Sequence, residues 1–169
     1  MLRLLSTALT SIVVLFAVQI AAAADANQSG VADALRAAVK SGHVPKDLLV
    51  TYDDIDALHG GTRLEVRGDG KGRRSELLHG GSAPRVSMRP VSEAELLDMT
   101  RELVELEAWL QKTPDRPPVP DESKSTLTIA VGGKSVAVWE WYNDMAKTNR
   151  MQKVLDRMSG LVPADGKPE

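Results

Sequence analysis

The chain has 169 residues, 21 Lys and Arg against 23 Asp and Glu, a formal net charge of −2 and no cysteine. That acidic balance argues against nucleic acid and against anionic membrane surfaces, both of which need a basic excess or patch. The lack of Cys excludes thiol catalysis, thiolate metal sites and redox exchange, and leaves packing alone to hold the fold.

Residues 1–24 read as a secretory signal peptide. Arg3 supplies the positive start, Leu4 to Ile20 is mostly apolar, and Ala21–Ala24 offers small residues for cleavage after Ala23 or Ala24. An uncleaved anchor is the competing reading. A spanning helix wants about 20 predominantly apolar residues, and Ser6, Thr7, Thr10, Ser11 and Gln19 dilute this stretch. The expected location is extracytoplasmic, periplasmic or secreted, with no membrane attachment after cleavage. Loss of the leader leaves 20 basic and 23 acidic residues in one domain-sized chain.

The N-terminal segment, 25–47, starts with polar Asp25–Gly30, expected to be loose. A short helix follows over Val31–Ser41, with Val31, Ala34, Leu35, Ala38 and Val39 at helical spacing and Gly42 as its stop. The main domain is expected over 48–161. Leu48–Tyr52 is an optional strand. Leu64 and Val66 alternate with charged neighbours up to Asp69-Gly70, a two-residue type I′ hairpin signal, and Gly72–Leu78 returns.

Ser92 and Glu95 form a capping box, and Val91 with Leu96 a hydrophobic staple. The helix they open carries Leu96, Met99, Leu103, Leu106 and Leu110 on one face and ends at Thr113-Pro114. Pro114, Pro117, Pro118 and Pro120 make a stiff connection. Ser125–Val131 and Lys134–Trp141 are strands joined by Gly132-Gly133, a register that sets Ile129 opposite Val136 and Leu127 opposite Val138. Asp144–Met158 is a helix with Met151, Val154, Leu155 and Met158 inward and Gly160 beyond its end. Residues 162–169 are expected to form a disordered tail. The fold class is therefore α+β: an antiparallel sheet of four to five strands, in ββαββα order, with two helices packed on one face.

This layout resembles small exported bacterial domains of unknown function. It is also similar, more weakly, to the emfourin type of metalloprotease inhibitor, which uses two strand–strand–helix units. The residues that carry the likeness are Asp69-Gly70, Ser92-x-x-Glu95 and Gly132-Gly133. The resemblance implies a binding or inhibitory role more than a catalytic one, and transfers no functional residue.

Two constellations are candidate sites. Trp139, Trp141 and Tyr142 are the densest aromatic cluster, and both indoles lie on the strand side opposite the apolar face. They offer a platform for a protein or a sugar, unless the N-terminal segment packs over them. His59 and His79 sit in a near-repeat, Leu58-His59-Gly60-Gly61 and Leu78-His79-Gly80-Gly81, flanking the first hairpin. With Asp53 or Asp56 they could form a two-His, one-carboxylate site for a divalent metal; otherwise the glycines simply end the strands. Arg67-Gly68-Asp69 matches an adhesion tripeptide but is already explained by the turn. Gly132-Gly133-Lys134-Ser135 fails as a phosphate loop, because Thr128 stands where a Gly is needed and a strand follows instead of a helix. No nucleophile motif is present, no catalytic residue is assigned and no cofactor is expected beyond that metal.

The leading expectation is a non-catalytic macromolecule-binding domain, as a protease inhibitor in one form, monomeric or weakly oligomeric, with a protein or cell-envelope partner. The alternatives are a metal-dependent enzyme and a structural envelope component.

Overall fold

The computed structural model describes residues 25–56, 59–78, 83–112, 116–117, 119–120, 122–147 and 149–164. Among them the chain is α+β, with a six-stranded antiparallel sheet and helices on one side.

The first element is a helix, α1, over 25–41. It is longer than its sequence suggests, because tertiary contacts support the polar start. Gln28 Nε2 donates to the Trp109 carbonyl at 3.3 Å, and Gly30 lies so close to Lys134 that a Cβ would sit 2.2 Å from its Cδ. Val31 and Leu35 are fully buried. Gly42 ends the helix with φ +75°, its N–H donating to Ala38 at 2.9 Å.

Six strands follow: β1 (Leu49–Asp53), β2 (Gly61–Arg67), β3 (Lys71–Leu77), β4 (Arg85–Pro90), β5 (Lys124–Val131) and β6 (Lys134–Trp141). Their order across the sheet is β4-β3-β2-β1-β5-β6. The expected four to five strands in ββαββα order are therefore corrected. The strand treated as optional, β1, is central, pairing Val50 with Val66 on one side and Ile129 on the other. It welds the two hairpins into one sheet. The strand without a place in the expected order, β4, follows Pro84 and ends on Pro90. It is an edge strand, where a missing N–H can be tolerated.

The first hairpin is also corrected. Arg67 pairs with Lys71, so the loop is Gly68-Asp69-Gly70, three residues instead of two. Gly70 takes φ +84°, as such three-residue loops require. Gly68 is packed so tightly on the Pro45 carbonyl that a Cβ would meet its oxygen at 1.9 Å. The second hairpin has the expected register, Ile129 against Val136 and Leu127 against Val138. Gly132 and Gly133 have φ +60° and +70°, the signature of a type I′ turn.

Helix α2 (Glu93–Glu105) begins with the full capping box. Ser92 donates to Glu95 Oε2 from its N–H at 2.8 Å and from its Oγ at 2.7 Å, and Glu95 N–H donates to Ser92 Oγ at 3.3 Å. Both donations from Ser92 hold the Glu95 carboxyl below its ordinary range. The helix stops earlier than expected. Glu107 is left-handed (φ 45°), and a 3-10 turn, Ala108–Leu110, follows. That turn buries Trp109 and leaves Leu110 41% exposed, so Leu110 is not on the inward face. The last helix is likewise split. A 3-10 turn covers Tyr142–Lys147, and α3 runs Asn149–Leu161 with Met151, Val154 and Met158 buried. Gly160 lies inside α3 instead of beyond it. Arg89 Nη1 donates to the Leu161 carbonyl at 2.9 Å, and Val162, placed by sequence in the tail, is buried.

All three helices share one core with Val50, Tyr52, Leu64, Val66, Leu127, Ile129 and Val138. These strand residues lie on a single face, because side chains alternate along a strand.

Candidate functional site

The alternation that builds the core leaves the opposite face of the sheet without a helix among the described residues. The register arranges that face as a grid. One row runs Trp139, Thr126, Asp53, Arg63, Ser75, Val86; the next runs Ala137, Thr128, Thr51, Glu65, Arg73, Met88. One end is aromatic, the middle carries hydroxyls and charges, and the far end is apolar. Val86 is 46% and Met88 65% exposed.

The charges in the middle pair across strands. Arg63 donates to Asp53 through two guanidinium nitrogens. Arg73 lies 3.5 Å from Glu65, and Asp69 takes Lys71 at 2.8 Å and Arg67 at 3.4 Å. The Lys71 hydrogen bond holds the Asp69 carboxyl below its usual range. Five bases (Arg63, Arg67, Lys71, Arg73, Lys124) stand against three acids (Asp53, Glu65, Asp69), a surplus of positive charge on a chain whose net charge is −2. The middle of the grid thus carries more base than acid, while the Arg116, Glu122 and Asp144 cluster over Trp141 adds one base and two acids.

At the aromatic end the three predicted residues part company. Trp139 is half-buried on the open face with Lys124 Nζ 4.0 Å from its ring centre. Trp141 is 9% exposed. The two rings meet edge to face, centroids 5.0 Å apart at 82°. Tyr142 lies in the following 3-10 turn and is 55% exposed. The N-terminal segment does not cover the indoles, because α1 and β1 belong to the core. Arg116 stands over Trp141 instead, 5.4 Å from its ring centre. Glu122 accepts from Arg116 at 2.8 Å and Asp144 at 2.6 Å. The guanidinium keeps the Glu122 carboxyl below its ordinary range, and the two carboxylates push the Arg116 pKa upward. Thus Trp139 is the aromatic surface, and Trp141 its buttress.

Behind the grid, Tyr52 is fully buried and its hydroxyl donates to Ser125 Oγ at 3.1 Å. Burial pushes its phenol up to about 12. Burial also raises the nearby Asp54 carboxyl, although Asp54 accepts the Thr62 N–H.

The predicted metal ligands are placed as follows. Asp53 faces Arg63 and also accepts the Ile55 N–H at 3.0 Å. Asp56 accepts the His59 main-chain N–H at 3.0 Å, and Asp56 and Gly60 bridge one another, closing a tight loop around an exposed His59. His79 lies outside the described residues. Among the described residues no group of three or more His, Asp or Glu gathers as a metal site.

Sequence reasoning missed Val86 and Met88. Their signal was present: Val86 and Met88 alternate with Arg85, Ser87 and Arg89, the period of a strand. Lys124 was legible from the second hairpin, whose register sets it against Trp141. No family model matches the chain, and no curated protein matches it either. No described helix is long and apolar enough to cross a membrane.

Proposed function

We propose that this chain is an exported, non-catalytic binding domain that holds a protein partner on the open face of its sheet. The observation that carries the reading is the bare grid itself: a large sheet face with exposed Val86 and Met88 at one end, Trp139 at the other and surplus positive charge between. Sheets this size normally cover a face with apolar residues on it, and exposed apolar patches mark interaction surfaces. The charges choose a partner whose facing surface is acidic, since complementary potentials set specificity and association rate. Export rests on the leader-like residues 1–24, and it places the partner in the same extracytoplasmic space.

Affinity capture from the extracytoplasmic fraction tests the reading. The protein should retain a partner, and Met88→Asp and Trp139→Ala should each weaken retention by about tenfold or more, the loss expected from one hot-spot residue. Binding should also fall with salt. Equal retention by both variants, or no partner for the wild type, would refute the proposal.

A further inference from the structure

The sheet has two edges, and they differ. At one edge, β4 carries Arg85, Arg89 and Pro90. Antiparallel self-pairing about Ser87 would set Arg85 against Arg89, and Pro90 has no donor to offer. Charge and proline are the usual protections of an edge strand. At the other edge, β6 has neither protection along its middle.

The type I′ turn fixes which β6 groups point outward. Val131 and Lys134 close the loop as a hydrogen-bonded pair, so Val136, Val138 and Glu140 bond inward to β5. Ser135, Ala137 and Trp139 therefore turn their N–H and C=O groups away from the sheet. None of these outward groups has a main-chain partner beyond the sheet among the described residues.

Beside this edge, on the helix side, lies a groove lined by Gln28, Trp109, Leu110, Gln111, Val136 and Val138. Glu140 stands at its end. The residue is only 5% exposed, yet no basic side chain pairs with its carboxylate among the described residues. It accepts from Gln111 Nε2 and from the Trp141 N–H, both at 3.0 Å. Trp141 N–H belongs to the outward set, so the carboxylate leans over the outer edge of β6. A buried anion held only by neutral donors is costly and calls for a cation.

We infer that β6 pairs with β6 of a second copy of this chain, antiparallel and centred on Ala137, joining two sheets into one. In that register Lys134 of each copy lies opposite Glu140 of the other and on the same face, which supplies the missing cation twice. Ser135 lies opposite Trp139, a small side chain against a large one. Val136 lies opposite Val138, and both extend toward the groove where Leu110 is exposed. Shifting the centre to Val136 or Val138 loses the Lys134–Glu140 match. A two-fold axis normal to the sheet keeps like faces together, so the two open faces would lie side by side. The pairing does not depend on what the open face binds.

Sedimentation velocity of the purified protein, from micromolar to millimolar concentration, tests this. The wild type should form a dimer that weakens as salt rises. Ala137→Pro removes an outward donor that β5 does not use, so it should give a folded monomer. Lys134→Glu, at an exposed position, places acid against acid and should weaken dimerisation by about tenfold or more. Far-ultraviolet circular dichroism checks folding; if Ala137→Pro does not fold, Lys134→Glu decides. A wild type that stays monomeric throughout, or a dimer indifferent to Lys134→Glu, overturns the inference.

Discussion

Single residues set the chemistry of both faces. Tyr52 sits where β1 crosses the core, fully buried, with Ser125 as its hydroxyl's partner. Tyr52→Phe strands that serine and should cost about 1–2 kcal/mol in a denaturant titration. The phenol also makes the fold alkali-sensitive. Its pKa is raised from 10.0 to about 12, so the folded state holds the proton more tightly than the unfolded one. Its stabilisation is complete below the unfolded value and should be lost as pH climbs through the folded one; Tyr52→Phe should flatten that alkaline slope. Trp139 differs from its neighbours in another way. Trp109 and Trp141 are buried while Trp139 is half-exposed, so iodide should quench one of the three tryptophans well and two poorly. Uniform shielding of all three would remove the aromatic end of the proposed surface.

At the scale of elements, local signals worked where they were self-contained. The capping box of α2 and the Gly132-Gly133 turn are decided within a few residues, and both form as their sequences demand. Ser92→Ala should cost about 1 kcal/mol. The cap also gives the helix an acid limit. Glu95 is held below its ordinary 4.5 by Ser92, so this contribution is present above that pH and lost as pH falls through the lowered value. The gap between wild type and Ser92→Ala should therefore close in acid, as thermal melts across that range would show. Signals that depend on distant partners were illegible. By sequence Gly68 only flanks the Asp69-Gly70 turn, but it joins the loop, packed against the distant Pro45 carbonyl. Leu110 has the right spacing for the α2 stripe, yet Glu107 turns left-handed and Trp109 takes the buried place. The alternation in β4 was readable, since Val86 and Met88 alternate with polar Arg85, Ser87 and Arg89. The open face was half legible for the same reason: the Trp139 end follows from a hairpin register, whereas Met88 needs the whole sheet.

Across the molecule, one core runs from Val31 in α1 to Val162 beyond α3. The N-terminal segment is thus part of the domain's packing. Leu35→Ala should cost 2–5 kcal/mol, roughly as for other fully buried leucines, and unfolding should stay a single transition. Because all the helices sit on one side, the charge is distributed by face as well as by sequence. A chain with a net acidic composition presents a basic grid, which composition alone could not reveal. The most direct test of that grid is hydroxyl-radical footprinting of the captured complex. Met88, Val86 and Trp139 should lose reactivity when the partner binds, while exposed Leu110, on the helix side of the sheet, should not. Full oxidation of Met88 and Trp139 in the complex, with protection confined to α2 and α3, would contradict it.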